Sequence, residues 1–260
     1  MNLQLKNKRV LITGASKGIG LEIALSFCHE GCDVMINGRN ESQLIQAAQY
    51  LRETSGAEVQ TVVADLSNSA GVAELVKASG SIDILVNNAG AIPGGDIFAI
   101  DDAAWRKAWD LKLFGYIDMT RQCLPAMQAR GSGVIVNVIG MAGAAPRAGY
   151  ICGSVANAAL IAFTKAMGAA STEQGVRILG INPSQTRTDR IETLMRVQAE
   201  KQLGDSEKWF DLTHKLAFGR LAEPCEMADL VVFASSERAG YLSGTVIDID
   251  GGMQYRDARG

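Results

Sequence analysis

The stretch Val10-Leu11-Ile12-Thr13-Gly14-Ala15-Ser16-Lys17-Gly18-Ile19-Gly20 limits the fold more than any other part of the chain. A short apolar run ends in Thr-Gly-x-x-x-Gly-x-Gly, and an apolar-periodic stretch, Leu21 to Phe27, follows it. The pattern predicts a strand, a glycine turn and a helix. Gly14 permits a turn with positive φ, and Gly18 lets the backbone approach a ligand closely. Gly20 lets the helix sit tightly against the strand. The free N–H groups and positive dipole end of that helix then face whatever fills the turn, which suits a diphosphate. Glycines occur in many βα turns, but this set follows a strand, opens a helix and falls in the first βα unit, where a doubly wound fold binds a dinucleotide.

The rest of the chain alternates strands and helices in the same order. Val34-Met35-Ile36, Val59 to Ala64, Ile82 to Val86, Val134 to Val138 and Val176 to Ile181 are continuous apolar runs rather than alternations. Such runs suit strands buried on both faces of a parallel sheet. Helical stretches separate them, at Glu41 to Thr54, Ser67 to Ser79, Ala103 to Arg130 and Tyr150 to Ser171. The expected fold is α/β, a Rossmann-type doubly wound sheet with right-handed crossovers. With 260 residues, 47% of them hydrophobic, and with neither linker nor repeat, the chain reads as one domain spanning 1–260.

Net charge is −3 with basic residues scattered, which argues against a nucleic-acid surface. No apolar run looks long enough to cross a bilayer, and Met1 to Lys6 lacks the apolar core of a signal peptide. A cytoplasmic, soluble protein is expected. The five cysteines are scattered except for Cys28 and Cys32. Cys28-His29-x-x-Cys32 reads as a buried helix face followed by a strand rather than a metal site, because no second ligand cluster accompanies it.

The second strand ends at Asn37-Gly38-Arg39-Asn40, without the acidic residue that would hold the ribose 2′-hydroxyl of NAD. Arg39 and Lys17 instead place two cations there, which favours a 2′-phosphate and hence NADP(H), with NAD(H) as the alternative. Asp65, before Leu66, stands where it can accept from the adenine amino group or favour the start of the next helix. Asn87-Asn88-Ala89-Gly90 follows the fourth strand, where small residues let backbone pack beside a cofactor.

Taken together, Thr13 to Gly20, Asn87 to Gly90, Val134 to Asn137, Ile181-Asn182-Pro183 and Ser243-Gly244-Thr245-x-x-x-x-Asp250-Gly251-Gly252 resemble the short-chain dehydrogenase/reductase family over essentially the whole chain. The resemblance implies a seven-stranded sheet, a nicotinamide cofactor and a homo-oligomer, usually a tetramer. It implies cofactor contacts from Gly14, Ser16, Lys17, Gly18, Ile19, Gly20, Asp65, Leu66, Asn88, Ala89 and Gly90. It adds contacts from Pro183, the backbone of Thr186 and the hydroxyl of Thr188. Arg187 or Arg190 would reach the diphosphate or an anionic substrate, or stay solvated.

The family's usual site is Asn, Ser, Tyr and Lys, the last two spaced Tyr-x-x-x-Lys, and this sequence departs at all four places. Counting back from Ala159 to Lys165, which matches the stretch that follows the lysine, Asn157 falls at the lysine position and Gly153 at the tyrosine position. Gly140 falls at the serine position. The match of Trp109 to Gly115 puts Lys112 where asparagine is usual. Two changes look reciprocal, so Lys112 is expected to supply the cation from the opposite helix while Asn157 holds the ribose or orients Lys112. Tyr150 precedes the vacated tyrosine slot by one helical turn and is expected to swing its hydroxyl into the same cavity. Ser154 is a candidate to orient substrate, or else a helix-terminal hydrogen-bonding group. Residues 189–218 read as a lid over the cofactor mouth. Thr245 to Ile249 should form the last strand, whose edge, with the tail, suits subunit pairing.

The leading expectation is an NADP(H)-dependent oxidoreductase acting on a small-molecule carbonyl or secondary alcohol, with a rearranged proton-transfer site. The alternative is a catalytically silent dinucleotide-binding sensor or assembly subunit, and a lyase or dehydratase is a third.

Overall fold

A computed structural model describes residues 1–256. The last four residues of the tail expected to aid subunit pairing lie outside the described residues. Seven parallel strands form one sheet: β1 (Arg9–Ile12), β2 (Asp33–Gly38), β3 (Val59–Val63), β4 (Ile84–Asn87), β5 (Gly133–Val138), β6 (Val176–Pro183) and β7 (Val246–Ile249). Their order is β3-β2-β1-β4-β5-β6-β7, so the winding reverses between β1 and β4. That switch point is where helices leave for opposite faces and a crevice opens at the strands' carboxyl ends.

Side chains alternate along each strand, and the helices divide accordingly. Ile12, Ile36 and Val86 pack with Ile23 and Phe27 of α1 (Gly18–His29), Leu44 and Leu51 of α2 (Glu41–Ser55) and Val231 of α8 (Pro224–Ser235). Leu11, Leu85 and Ile135 turn the other way, against Leu75 of α3 (Ser69–Ser79) and Met119 of α5 (Gly115–Ala129). Cys28 belongs to the first core, and the Cys32 thiol contacts the Leu5 carbonyl at 3.2 Å.

Three local expectations are corrected. The helix expected over Ala103 to Arg130 is α4 (Asp102–Trp109) and α5 joined by a π-helical turn at Asp110–Phe114, which contains Lys112. The third helix starts at Ser69 rather than Ser67, because the Asn68 side chain accepts from the Gly71 N–H and caps it. The start of α3 is therefore not Asp65's task. Finally, one apolar helix does reach membrane-spanning length, since Ile151–Gln174 qualifies by length and composition. Its helical body, α6 (Ile151–Ala170), instead buries Cys152, Ala156, Leu160 and Thr164 within the fold.

The segment over the crevice is α7 (Asp189–Leu203) followed by 3₁₀ turns at Ser206–Lys215 and Ala217–Gly219. It has its own small core of Met195, Ala199, Trp209 and Leu221. The helix after it begins as its sequence predicts, with Pro224 in the first turn and Glu223 and Glu226 forming a reciprocal capping box.

Candidate active site

The glycine turn is built for close approach. Gly14 and Gly18 have φ of +64° and +60°. A Cβ on Gly14 would sit 2.7 Å from the Ala89 Cα, and one on Gly20 would sit 2.4 Å from the Asn88 amide nitrogen. The Thr13 hydroxyl accepts from the N–H groups of Asn88 and Ala89 at 2.9 and 3.1 Å. The Asn88 amide donates to the carbonyls of Thr13 and Gly14 at 3.1 and 2.9 Å. These bonds lock the ends of β1 and β4 together across the switch point. The N-terminus of α1 carries neither a side-chain cap nor an acidic residue in its first turn, so its N–H groups face the turn unanswered.

Around this turn the expected cofactor residues fall into two kinds. Ser16 lies over the end of β2, against Gly38, and Ile19 and Pro183 line the cavity. Lys17 and Arg39 are exposed, and among the described residues neither makes an ion pair. One Asp65 oxygen accepts from the Ser67 N–H at 3.1 Å, closing a turn that leaves the exposed carboxylate at the end of β3. Leu66 packs its side chain into the core. Thr186 is buried, and its hydroxyl donates to the Ser184 carbonyl at 3.1 Å. The Thr188 hydroxyl oxygen accepts from the Ile191 N–H and caps α7, while its methyl stands against Gly18. Arg187 is paired with Glu223 at 3.0 Å.

A cavity of about 670 Å³ continues from the turn, lined by Gly90, Lys112, Gly140, Tyr150, Asn157 and Arg190 among others. Lys112 is buried on the π-turn and donates to the Val138 carbonyl at 2.7 Å and to the Tyr116 hydroxyl at 2.8 Å. Burial, and then the charge of Arg190, pull its ammonium pKa down from 10.5 to about 7. Tyr116 donates to the same carbonyl at 2.9 Å, and burial holds its own phenol far above the usual range. Two glycines make the room. A Cβ on Gly90 would lie 2.8 Å from the Lys112 Cδ, and one on Gly140 would lie 2.9 Å from the Asn157 amide nitrogen. Asn157 donates weakly to the Gly140 carbonyl at 3.4 Å, and its buried Oδ1 has no partner.

Tyr150 stands at the N-terminus of α6. Its backbone is tied to the loop at Gly95, whose N–H donates to the Gly149 carbonyl at 3.0 Å. Its ring lies directly on Gly153, where an added Cβ would be only 2.0 Å from the ring. Glycine at 153 therefore gives the Tyr150 ring its seat. Alanine in a helix is usually more favourable than glycine by about 0.5–1 kcal/mol. At this position the sign should reverse. Gly153→Ala is expected to lower the melting temperature and unseat Tyr150, which thermal denaturation followed by circular dichroism would read.

Of the two readings of Ser154, the structure shows the helix-terminal hydrogen-bonding group and not a residue of the cavity lining. It is buried, but its hydroxyl accepts from the Arg147 N–H at 3.0 Å and reaches the Arg147 carbonyl at 3.3 Å. Helix geometry turns it about 100° from Gly153, and it clamps the preceding loop instead of lining the cavity.

Below the site runs a hydrogen-bond chain that the sequence motifs did not reveal as a unit. Asn87 on β4 donates to Asn137 on β5 at 2.9 Å, and Asn137 donates to Thr164 on α6 at 2.9 Å. All three are fully buried, so the chain ties the carboxyl ends of β4 and β5 to the body of α6. The position of Arg190 was also beyond the sequence reading. It leaves α7, donates to the Ile92 carbonyl and lines the same cavity as Tyr150.

A family model for short chain dehydrogenase matches residues 8–198. The chain belongs to the short chain dehydrogenase family. It is 35% identical to 2-keto-3-deoxy-L-fuconate dehydrogenase of Xanthomonas campestris, over 96% of this chain and 81% of that protein. It is 32% identical to the uncharacterized oxidoreductase YvrD of Bacillus subtilis, over 97% of this chain and 98% of that one. Among solved structures, L-sorbose reductase from Gluconobacter frateurii, complexed with NADPH and L-sorbose, superposes with a TM-score of 0.92 at 32% identity. That alignment covers 99% of this chain and all of the other.

Proposed function

We propose that this short chain dehydrogenase is an NADP(H)-dependent oxidoreductase that interconverts a carbonyl and a secondary alcohol with relocated proton-handling groups. The observation that carries the reading is the convergence of Tyr150, seated on Gly153, and Lys112, threaded under Gly90, on one cavity beside the glycine turn.

The residues present fit a dinucleotide. The open N-terminus of α1 suits the diphosphate, Lys17 and Arg39 suit a 2′-phosphate, and the Asp65 carboxylate suits the adenine amino group. The orphaned Asn157 Oδ1 suits a ribose hydroxyl, which would satisfy a buried acceptor. The nicotinamide, when bound, supplies or takes up a hydride. The chain's own part is protonic. In the reducing direction the Tyr150 phenol donates its proton to the carbonyl oxygen, and in the oxidising direction the phenolate accepts it back. The Lys112 ammonium, beside the same cavity, favours the anionic form of that oxygen pair through its field. Residues 189–218 act as a lid, bringing Leu194, Leu216 and Phe218 to the mouth. Exposed Ile97, Phe98 and Phe114 give a homo-oligomer apolar surface to bury.

The reading is tested by following NADPH oxidation against ketones, aldehydes and sugars, alongside fluorescence titration of NADPH and NADH. Turnover with at least one carbonyl class supports it. Binding without turnover across the panel would identify a silent dinucleotide-binding protein. Arg39→Ala is expected to weaken NADPH at least tenfold and leave NADH unchanged, since one charge-assisted pair to phosphate is lost. Equal losses for both cofactors would overturn the assignment of the 2′-phosphate site.

A further inference from the structure

Lys112 is a buried cation without a counter-ion. It lines the cavity, yet among the described residues no carboxylate lies within ion-pair distance of its ammonium. A charge buried alone is costly, and the usual remedies are an ion pair or loss of the proton. The positive charge of Arg190 adds to that cost. The groups that hold Lys112 are therefore few, and none of them is an anion.

Those groups form a closed triangle. The Lys112 Nζ donates to the Val138 carbonyl at 2.7 Å and to the Tyr116 hydroxyl at 2.8 Å, and that hydroxyl donates to the same carbonyl at 2.9 Å. With its own proton committed to Val138, the Tyr116 oxygen can only accept from Lys112. The Tyr116 ring makes a second contact, since the ammonium stands over it at 4.5 Å from the centroid, within reach of a cation–π attraction. Tyr116 follows Lys112 by four residues, from the π-turn into the first turn of α5, a spacing that sets two side chains on one helix face. Burial keeps the Tyr116 phenol neutral while it accepts. A neutral cradle steadies the ammonium with dipoles and leaves its net charge uncancelled, which an ion pair would not. An ammonium has three N–H donors. Two are taken here, and one remains for an occupant of the cavity.

We propose that Tyr116 is the positioning residue of Lys112: its hydroxyl, locked by Val138, and the face of its ring hold a lone ammonium at the cavity wall and leave the field of that charge to the reacting oxygen. The proposal rests on the reading of Lys112 as the cation of the site. Tyr116 is fully buried and is not part of the cavity lining, so it gives up no proton to substrate and acts through Lys112 alone.

No other group around the cavity supplies such a cradle. From α6, Tyr150 lines the cavity, and the Asn157 amide donates to the Gly140 carbonyl. From α7, Arg190 donates to the Ile92 carbonyl and carries the same sign as Lys112, as does Arg147 from the loop before α6. On the far wall Glu226 is tied to Arg220 at 2.8 Å, and the Asp250 carboxylate accepts from the N–H groups of Gly252 and Gln254 at 2.8 and 2.9 Å.

The test is a pH titration of full-length protein carrying ¹³Cε-lysine, with the Lys112 signal assigned by its loss in Lys112→Met. Tyr116→Phe keeps the ring and removes the acceptor. It is expected to move the Lys112 midpoint down by about one pH unit, as loss of a hydrogen bond to the charged form does. Tyr116→Leu removes the ring as well and should move it further. Thr120→Val, one turn along α5 and equally buried, loses only a 3.4 Å contact with Asn87 and should leave the midpoint where it is. An unmoved Lys112 signal in Tyr116→Phe, or an equal shift in Thr120→Val, overturns the proposal. The titration needs neither substrate nor cofactor. In turnover, the alkaline fall of kcat should move down with the midpoint in Tyr116→Phe. A midpoint that moves while the kcat profile stays would sink the reading of Lys112 as the site's cation alone, and an unmoved midpoint would sink the role of Tyr116 alone.

Discussion

Tyr150→Phe is expected to lower kcat by about 10²–10⁴-fold, the range a positioned proton donor contributes, while NADPH binds as tightly as before. The separation follows from the site. Tyr150 lines the cavity, and its ring fills the seat above Gly153 and would do so equally as phenylalanine. The glycine turn and its Asn88 and Ala89 contacts are built from other residues. Packing is thus preserved and only the exchangeable proton is lost. Steady-state rates with the best carbonyl substrate, beside fluorescence titration of NADPH, measure both halves. A rate within a few-fold of the parent would mean that the proton comes from elsewhere.

Lys112→Met should stabilise the fold while removing turnover. A lysine whose folded pKa is about 7 instead of 10.5 resists being charged where it is buried. The sign follows from linkage. Between those two values the unfolded chain holds more protons than the folded one, so stability rises with pH across that window. Below about pH 7 both states carry the charge, and the full penalty of burying it is present. Methionine fills similar space without charge, and the Val138 carbonyl keeps its bond from Tyr116. The variant is therefore expected to gain about 2 kcal/mol at pH 6, a rise in Tm of about 5 °C. The gain should shrink toward pH 10, where the parent lysine is neutral when folded. Thermal melts across pH 6–10 would show the trend. A gain that stays constant from pH 6 to pH 10 would mean that Lys112 keeps its proton in the folded protein as it does in the unfolded chain, with its pKa not lowered. The same variant should have almost no turnover, a pairing of higher stability with lost function that suits a residue retained for chemistry.

The fold was legible because its signals are local and repeated. Continuous apolar runs, helical periodicity and the glycine turn each act over a few residues, and together they admit only a doubly wound sheet. The helix starts at Asn40 and Pro224 follow from capping chemistry in the same way. The π-turn at Asp110–Phe114 was not legible. No residue there forces an extra backbone step, and the run between Trp109 and Gly115 reads as ordinary helix.

What the sequence by itself determined was the glycine turn between β1 and α1 and the place of Tyr150 and Asn157 at the start of α6. Those facts depend on glycines, spacing and strand ends within short windows. Which groups meet was left to tertiary structure. Ser154 turned toward Arg147, Lys112 was taken by Val138 and Tyr116, and Arg190 of α7 bonded the Ile92 carbonyl, 98 residues before it. Contacts between elements far apart in sequence depend on how helices pack across the sheet, and no local pattern of residues encodes that distance.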